Sequence, residues 1–186
     1  ADTAVLGYLS VIYWGHYSGA SANQIRPDRA LSRVRLALHG ARPSSQRTVI
    51  QMGTARTAHV LREAGELAHN GEQARAITAL LQLPQLGMAF ASKVCAFMAP
   101  QHCAVIDRVI VDRHCHFGFT LRGDYVANTK SNVARYERYC RHLQHLAAQE
   151  NAQGEKWADR DGRWYSWRAV DIERAMYHGD AAAPLR

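Results

Sequence analysis

The 186-residue chain is long enough to bury a sizeable core as one compact domain, or as two small halves sharing a cleft. Its 23 Lys and Arg against 16 Asp and Glu leave a charge of +7, which favours a polyanionic partner, with nucleic acid first. No apolar run approaches the ~20 residues of a membrane span. No basic-then-apolar signal segment opens the chain, and Cys95, Cys103, Cys115 and Cys140 follow no CxxC spacing. The expectation is a reduced, intracellular protein, cytoplasmic and associated with the nucleoid, that is monomeric and has no membrane contact and no protein partner.

Taken in order, the segment from Ala4 to Tyr17 is apolar and aromatic and predicts a core-packing helix ending near Gly15 or Gly19. Tyr13, Trp14 and Tyr17 are rings that such a helix offers for stacking on a nucleobase. Pro27 opens a second helix with Leu31, Val34 and Leu38 inward and Arg29, Arg33 and Arg35 outward. Residues 40–45 carry Gly, Pro and Ser and predict a loop. Thr57 to Ala68 has helical spacing and stops at Asn70-Gly71, and Glu72 to Leu81 forms the next helix.

Past Gly118 the chain reads as loop with a turn at Gly123-Asp124, then as an amphipathic helix from Asn132 to Gln149. Residues 151–162 are polar. The segment 163–179 predicts a helix that docks Trp164, Tyr165, Trp167, Val170 and Met176 on the core, and 180–186 a frayed end. Alternating strand patterns are scarce, so the expected fold is mostly α, a single domain with a cleft between helical halves; residues 1–45 with 119–186 would form the second lobe.

The chain is organised around 83–118. Leu83, Pro84, Gln85, Leu86 and Gly87 form a compact turn between two helices, and the start of the second offers unpaired backbone N–H groups and the positive end of a helix dipole, a phosphate site that reads no sequence. Lys93, one of only three lysines, follows on an apolar background of Ala89, Phe90, Ala96 and Phe97. Desolvation there favours a neutral amine, which can attack a sugar carbon and form a Schiff base. Asp107 stands before a third helix, where aspartate is a favoured N-cap. A fixed carboxylate there would also stabilise positive charge developing beside it. Asp112, further along that helix, is a weaker substitute. His114, Cys115 and His116 alternate at a helix end and do not converge as metal ligands, so no metal site is expected.

This pattern resembles the helix-hairpin-helix (HhH-GPD) superfamily of base-excision DNA glycosylases, and within it the 8-oxoguanine type. The hairpin spans about 72–98, and Asp107, twenty residues past Gly87, together with Gly118, stands where that superfamily has an aspartate capping a helix that ends in glycine. Two positions depart from the pattern: Gln85 replaces the hairpin's first glycine, and the position of the lyase-type lysine is Ala89, with Lys93 one helical turn later. The resemblance implies a base-excision enzyme with Lys93 and Asp107 as catalytic residues, and AP lyase activity if Lys93 attacks. It also implies a DNA-backbone grip through Leu83 to Gly87 with Met88 and Arg108, and a monovalent cation on the hairpin carbonyls. It implies no other cofactor; the four-cysteine loop of iron–sulfur members has no counterpart. Candidates for the base pocket are Tyr13, Trp14, Trp164 and Trp167. The rival readings are a non-catalytic helix-hairpin-helix DNA-binding protein and a small helical interaction protein.

Overall fold

The computed structural model describes residues 3–17, 25–39 and 53–178; the readings of 40–45, of 180–186 and of a helix end at Gly19 lie outside them. Among the described residues the fold is mostly α. Its helices are α1 (Thr3–Tyr17), α2 (Pro27–His39), α3 (Thr54–His69), α4 (Gln73–Leu80), α5 (Met88–Met98), α6 (Arg108–Arg113), α7 (Lys130–Ala152) and α8 (Ala169–His178). A single 3-10 turn, Cys115–Phe117, follows α6. Two antiparallel hairpins of two-residue strands complete the chain, β1 (Leu121–Arg122) with β2 (Tyr125–Val126), and β3 (Trp157–Ala158) with β4 (Trp164–Tyr165). No helix among the described residues is long and apolar enough to cross a membrane.

The helix ends follow local chemistry. Gly71, at φ 77°, reverses the chain between α3 and α4, a left-handed conformation that glycine adopts without steric cost. Helix α7 starts at Lys130 rather than at Asn132, because Thr129 is the cap: its hydroxyl accepts the Asn132 amide at 3.1 Å. Asn132 is itself fully buried. Its side chain accepts from the Thr120 amide at 3.0 Å and donates to the carbonyls of Thr120 and Ala127 at 2.9 and 2.8 Å, pinning the β1–β2 hairpin to α7. The last helix begins at Ala169, not in the Trp164 region, since Trp164 and Tyr165 pair with Ala158 and Trp157 as β4 and are exposed. Polar character at 151–162 likewise hides β3.

In the core, α1 packs on α2, α3 and α5, while α7 packs on α4 and α8. Ile12, Leu61, Ile77, Leu80, Met88 and Leu143 are among its largest fully buried side chains. Helix α2 packs Val34 against the core as its spacing suggests, but rotated so that Ala30 and Ala37 are buried and Leu31 is 44% exposed. Small alanines bring the α2 backbone close to its neighbours, and the larger Leu31 is left on the outside.

Candidate active site

The hairpin is held from three sides. The Tyr8 hydroxyl of α1 donates to the Pro84 carbonyl at 2.5 Å, and its burial raises the phenol's pKa, keeping it a donor. From α2, Arg33 is not simply outward-facing: it donates to the Gln85 amide oxygen at 3.2 Å. The Asn128 side chain accepts from the Met88 amide at 2.9 Å and so occupies one donor of the first turn of α5, while Ala91 donates back to the Gly87 carbonyl. The Ala89 and Phe90 amides have no acceptor within the helix. Gln85 has φ 63°, a left-handed conformation otherwise confined to glycines among the described residues. The position where the superfamily pattern has glycine thus keeps the glycine conformation, at a steric cost of ~1 kcal/mol or more.

Beside this turn lies a groove of about 500 Å³ whose lining includes Arg29, Arg33, Arg122 and His16, next to the start of α5. Tyr125 on the same wall is 75% exposed. The His16 pKa is lowered by burial and then by Arg33, Arg29 and Lys93, so its ring is held toward the neutral form between these cations. It stacks on Phe90 with ring centroids 4.8 Å apart. Any Cβ on Gly15 would collide with that Phe90 ring, so this glycine is what lets α1 close on α5.

Five residues along α5 from Met88, about 7.5 Å of helix rise, Lys93 lines a second cavity of about 730 Å³. Asp107 lines it too, from the start of α6. Exposed Trp14, Phe97 and Tyr177 stand at its rim, which opens it to solvent, and its volume is in the range of small-ligand pockets. Lys93 is half-buried, with Nζ 5.5 Å from the Phe90 ring centroid. Asp107 caps α6, its Oδ1 accepting from the Ile110 amide at 3.2 Å. The residues next to the two functional groups are tied together: the buried Ser92 hydroxyl accepts the Ile106 amide at 3.0 Å and donates to the Ala89 carbonyl at 2.9 Å. Tyr136 and Tyr139 of α7 hold the carbonyls of Ala104 and Val105 at 2.9 and 3.1 Å, so the crossing that delivers Asp107 is fixed on both sides. Gly118, at φ 72°, closes the 3-10 turn that extends α6.

A third group faces the same cavity. Glu173 of α8 is only 5% exposed and lines it. Its carboxyl is pushed up to about 7, first by burial and then by the facing Asp107 charge, with the Val105 backbone, Lys93 and Arg174 pulling the other way. The sign follows from linkage: an unfolded glutamate titrates near ~4.3, so folding favours the protonated form. The stability this group contributes is full below about pH 4 and is lost as the pH rises to about 7. Glu173→Gln should therefore melt several degrees above wild type at pH 8, with the difference gone near pH 4, as followed by circular dichroism.

The remaining sequence candidates are dispersed. Of the four aromatic rings proposed for a base pocket, Trp14 alone lines the cavity of Lys93 and Asp107. Tyr13 is half-buried and packs on Tyr17 with centroids 5.4 Å apart. Trp164 is 67% exposed on β4, and Trp167 lines a separate hollow with Trp157, because the α8 helix starts after both. Arg108 is exposed and already paired with Asp112, at 3.1 Å, and with Asp124. The four cysteines are free thiols, buried except for Cys115. Among the described residues no three His, Cys, Asp or Glu side chains are grouped to hold a metal ion.

Glu173 carried no sequence signal, because in the run from Arg168 to Met176 it reads as one more charged residue of an arginine-rich surface helix. The turn-to-carboxylate order of the site did carry one. Comparison with curated proteins and with solved structures gave no match. Matched over residues 1–177 by the model of the family described as "Putative 8-oxoguanine DNA glycosylase OGG-like protein", the chain belongs to that family.

Proposed function

We propose that the protein is an intracellular base-excision DNA glycosylase that flips an oxidised purine, 8-oxoguanine in the first instance, out of duplex DNA and cleaves its N-glycosidic bond. The observation that carries this reading is the convergence of Lys93 and Asp107, from different helices, on one solvent-open cavity beside a helix start with unpaired amides. Flipping is required because the glycosidic bond is out of reach inside the stack. The groove of Arg29, Arg33 and Arg122 supports a backbone grip, with Leu83, Pro84, Gln85, Leu86, Gly87 and Met88 as the turn that presents amides to phosphate. Arg108 would join that grip only by leaving its carboxylate partners.

In the reaction, Lys93 Nζ attacks C1′ of the flipped nucleotide as the base departs, and Asp107 stabilises the positive charge that develops on the sugar. Opening of the sugar ring, with an Nζ proton passing to O4′, leaves a cationic imine; loss of a C2′ proton to a base then expels the 3′ phosphate, and this elimination would make the enzyme a lyase as well. Trp14 at the rim offers its ring to the extruded base. The Pro84 and Leu83 carbonyls each accept one hydrogen bond, from the Tyr8 hydroxyl and the Leu86 amide, which leaves each one lone pair for a cation bound at the hairpin. No step is routed through it.

The test is base release from a panel of duplexes, each carrying one oxidised or alkylated base, under single-turnover conditions. Release of 8-oxoguanine with strand nicking supports the reading; tight binding to every duplex with no base released from any assigns the protein to DNA holding alone. The grip has its own signature. Arg29→Ala with Arg33→Ala should weaken binding equally for damaged and undamaged duplexes and lower the slope of log affinity against log salt by about 2, as measured by fluorescence anisotropy.

A further inference from the structure

We infer that Glu173 is the proton acceptor for Lys93, and that the pair exchanges a proton across the cavity they share before the amine attacks. This rests on the glycosylase reading and deepens it. The geometry sets three groups on one hollow: an amine from α5, a carboxylate fixed as a cap at the start of α6, and a carboxylic acid from α8 that is only 5% exposed. A buried acid without a fixed neighbouring cation is costly to ionise, and no salt bridge to Glu173 is formed among the described residues. Its partners act from every packed element. Lys93 of α5 and Arg174 of α8 favour its charge, while Asp107 opposes it; Tyr139 of α7 responds to it in turn, its phenol pushed further up by the Glu173 charge. Asp107 spends one oxygen on the Ile110 amide as the cap of α6, which leaves buried Glu173 as the carboxyl placed to take a proton from Lys93.

The balance closes without a further reagent. The Nζ–H bond of the Lys93 ammonium breaks, its electron pair stays on nitrogen, and the proton forms an O–H bond on the Glu173 carboxylate. The neutral amine bonds to C1′. The C1′–N bond to the base breaks with its pair leaving on the base, and Glu173 hands its proton to that leaving group, ending ionised again. At an abasic aldehyde the leaving group is the hydroxyl of the carbinolamine, which departs as water with the same proton.

An abasic-site duplex makes the test independent of which base is excised. Adducts with full-length protein are trapped by cyanoborohydride between pH 5.5 and 9 for wild type, Glu173→Gln and Glu173→Asp. In wild type the ammonium–carboxylate and amine–acid forms contain the same number of protons, so trapping should rise only up to about pH 7, where the Glu173 acid gives up its extra proton, and be nearly flat from there to pH 9. Glu173→Gln cannot take the proton, so the ammonium must lose it to solvent. Trapping should then fall about 10²-fold at pH 7 and rise tenfold per pH unit. Glu173→Asp should recover the flat profile at a reduced level, which a packing role alone would not produce. If Glu173→Gln does not melt cooperatively, the aspartate variant decides: a profile that is flat above neutral pH supports the exchange, and one still rising tenfold per unit from pH 7 to 9 overturns it. A glutamine variant whose profile runs parallel to wild type overturns it as well. Failure of wild type to release any base from damaged duplexes, with abasic trapping intact and Glu173-dependent, would sink the glycosylase reading and leave the proton exchange standing as part of a lyase.

Discussion

Lys93→Gln should abolish the borohydride-trapped adduct and slow base release on the order of 10³-fold. An amine held beside C1′ acts at an effective concentration of roughly 10⁵ M, about 10³ times that of bulk water, and glutamine leaves water as the only nucleophile. The fold should survive, because Lys93 is half-buried, its neighbours Ser92 and Val94 carry the packing, and its one ring contact is to Phe90. Gel-resolved trapping and single-turnover base release, run on the same preparation, check both numbers. Retention of wild-type base release would mean that water attacks in the wild type too, and that Lys93 only lines the cavity.

Asp107→Asn should lower base release by about 10²- to 10³-fold while changing stability by only a few tenths of a kcal/mol. On the proposed reading the two effects separate, because Asp107 would act both as a cap and as a charge. As the cap of α6 it accepts from the Ile110 amide, and asparagine caps a helix about as well as aspartate. As a charge in the cavity it has no substitute, since Glu173 is held toward its neutral form by the same surroundings. Asp107→Ala removes both and should cost ~1 kcal/mol in addition to the rate. Chemical denaturation beside single-turnover kinetics distinguishes the pair. Equal rate losses with a stability loss only in alanine support the electrostatic role; a rate loss confined to alanine would assign Asp107 to capping alone.

What the sequence reveals follows from how locally each feature is determined. The hairpin is legible because a proline and a glycine punctuate it between two apolar helices, and Asp107 because capping is decided within four residues. The left-handed Gln85 is half legible: the superfamily pattern marks the position, while its conformation is fixed by Arg33 and Tyr8 from elements more than fifty residues away. Two-residue strands are too short to show an alternating pattern, so β1 to β3 read as loop or polar connection and β4 as the start of the last helix. The inward face of α2 is legible at Val34, which packs against the core, but not at Leu31, which is exposed while Ala30 and Ala37 make the close contacts. Glu173 is illegible for a deeper reason. Its burial is a property of where α8 docks, with Val170 donating to the Pro100 carbonyl at 3.2 Å and Arg168 clasping Asp171 at 2.7 Å, and nothing in the spacing of Arg168 to Met176 distinguishes its glutamate from an exposed one.

The most direct measurement is the site of the covalent bond. Wild-type protein is trapped with borohydride on an 8-oxoguanine duplex, digested with trypsin, and the adduct located by mass spectrometry. The chain has only Lys93, Lys130 and Lys156 to choose from, besides its terminal amine. A single modified peptide is expected, residues 76–108, with the sugar remnant on Lys93 and tryptic cleavage blocked there. An adduct on Lys130, on Lys156 or on the terminal amine, or the absence of any adduct alongside measurable base release, would contradict it.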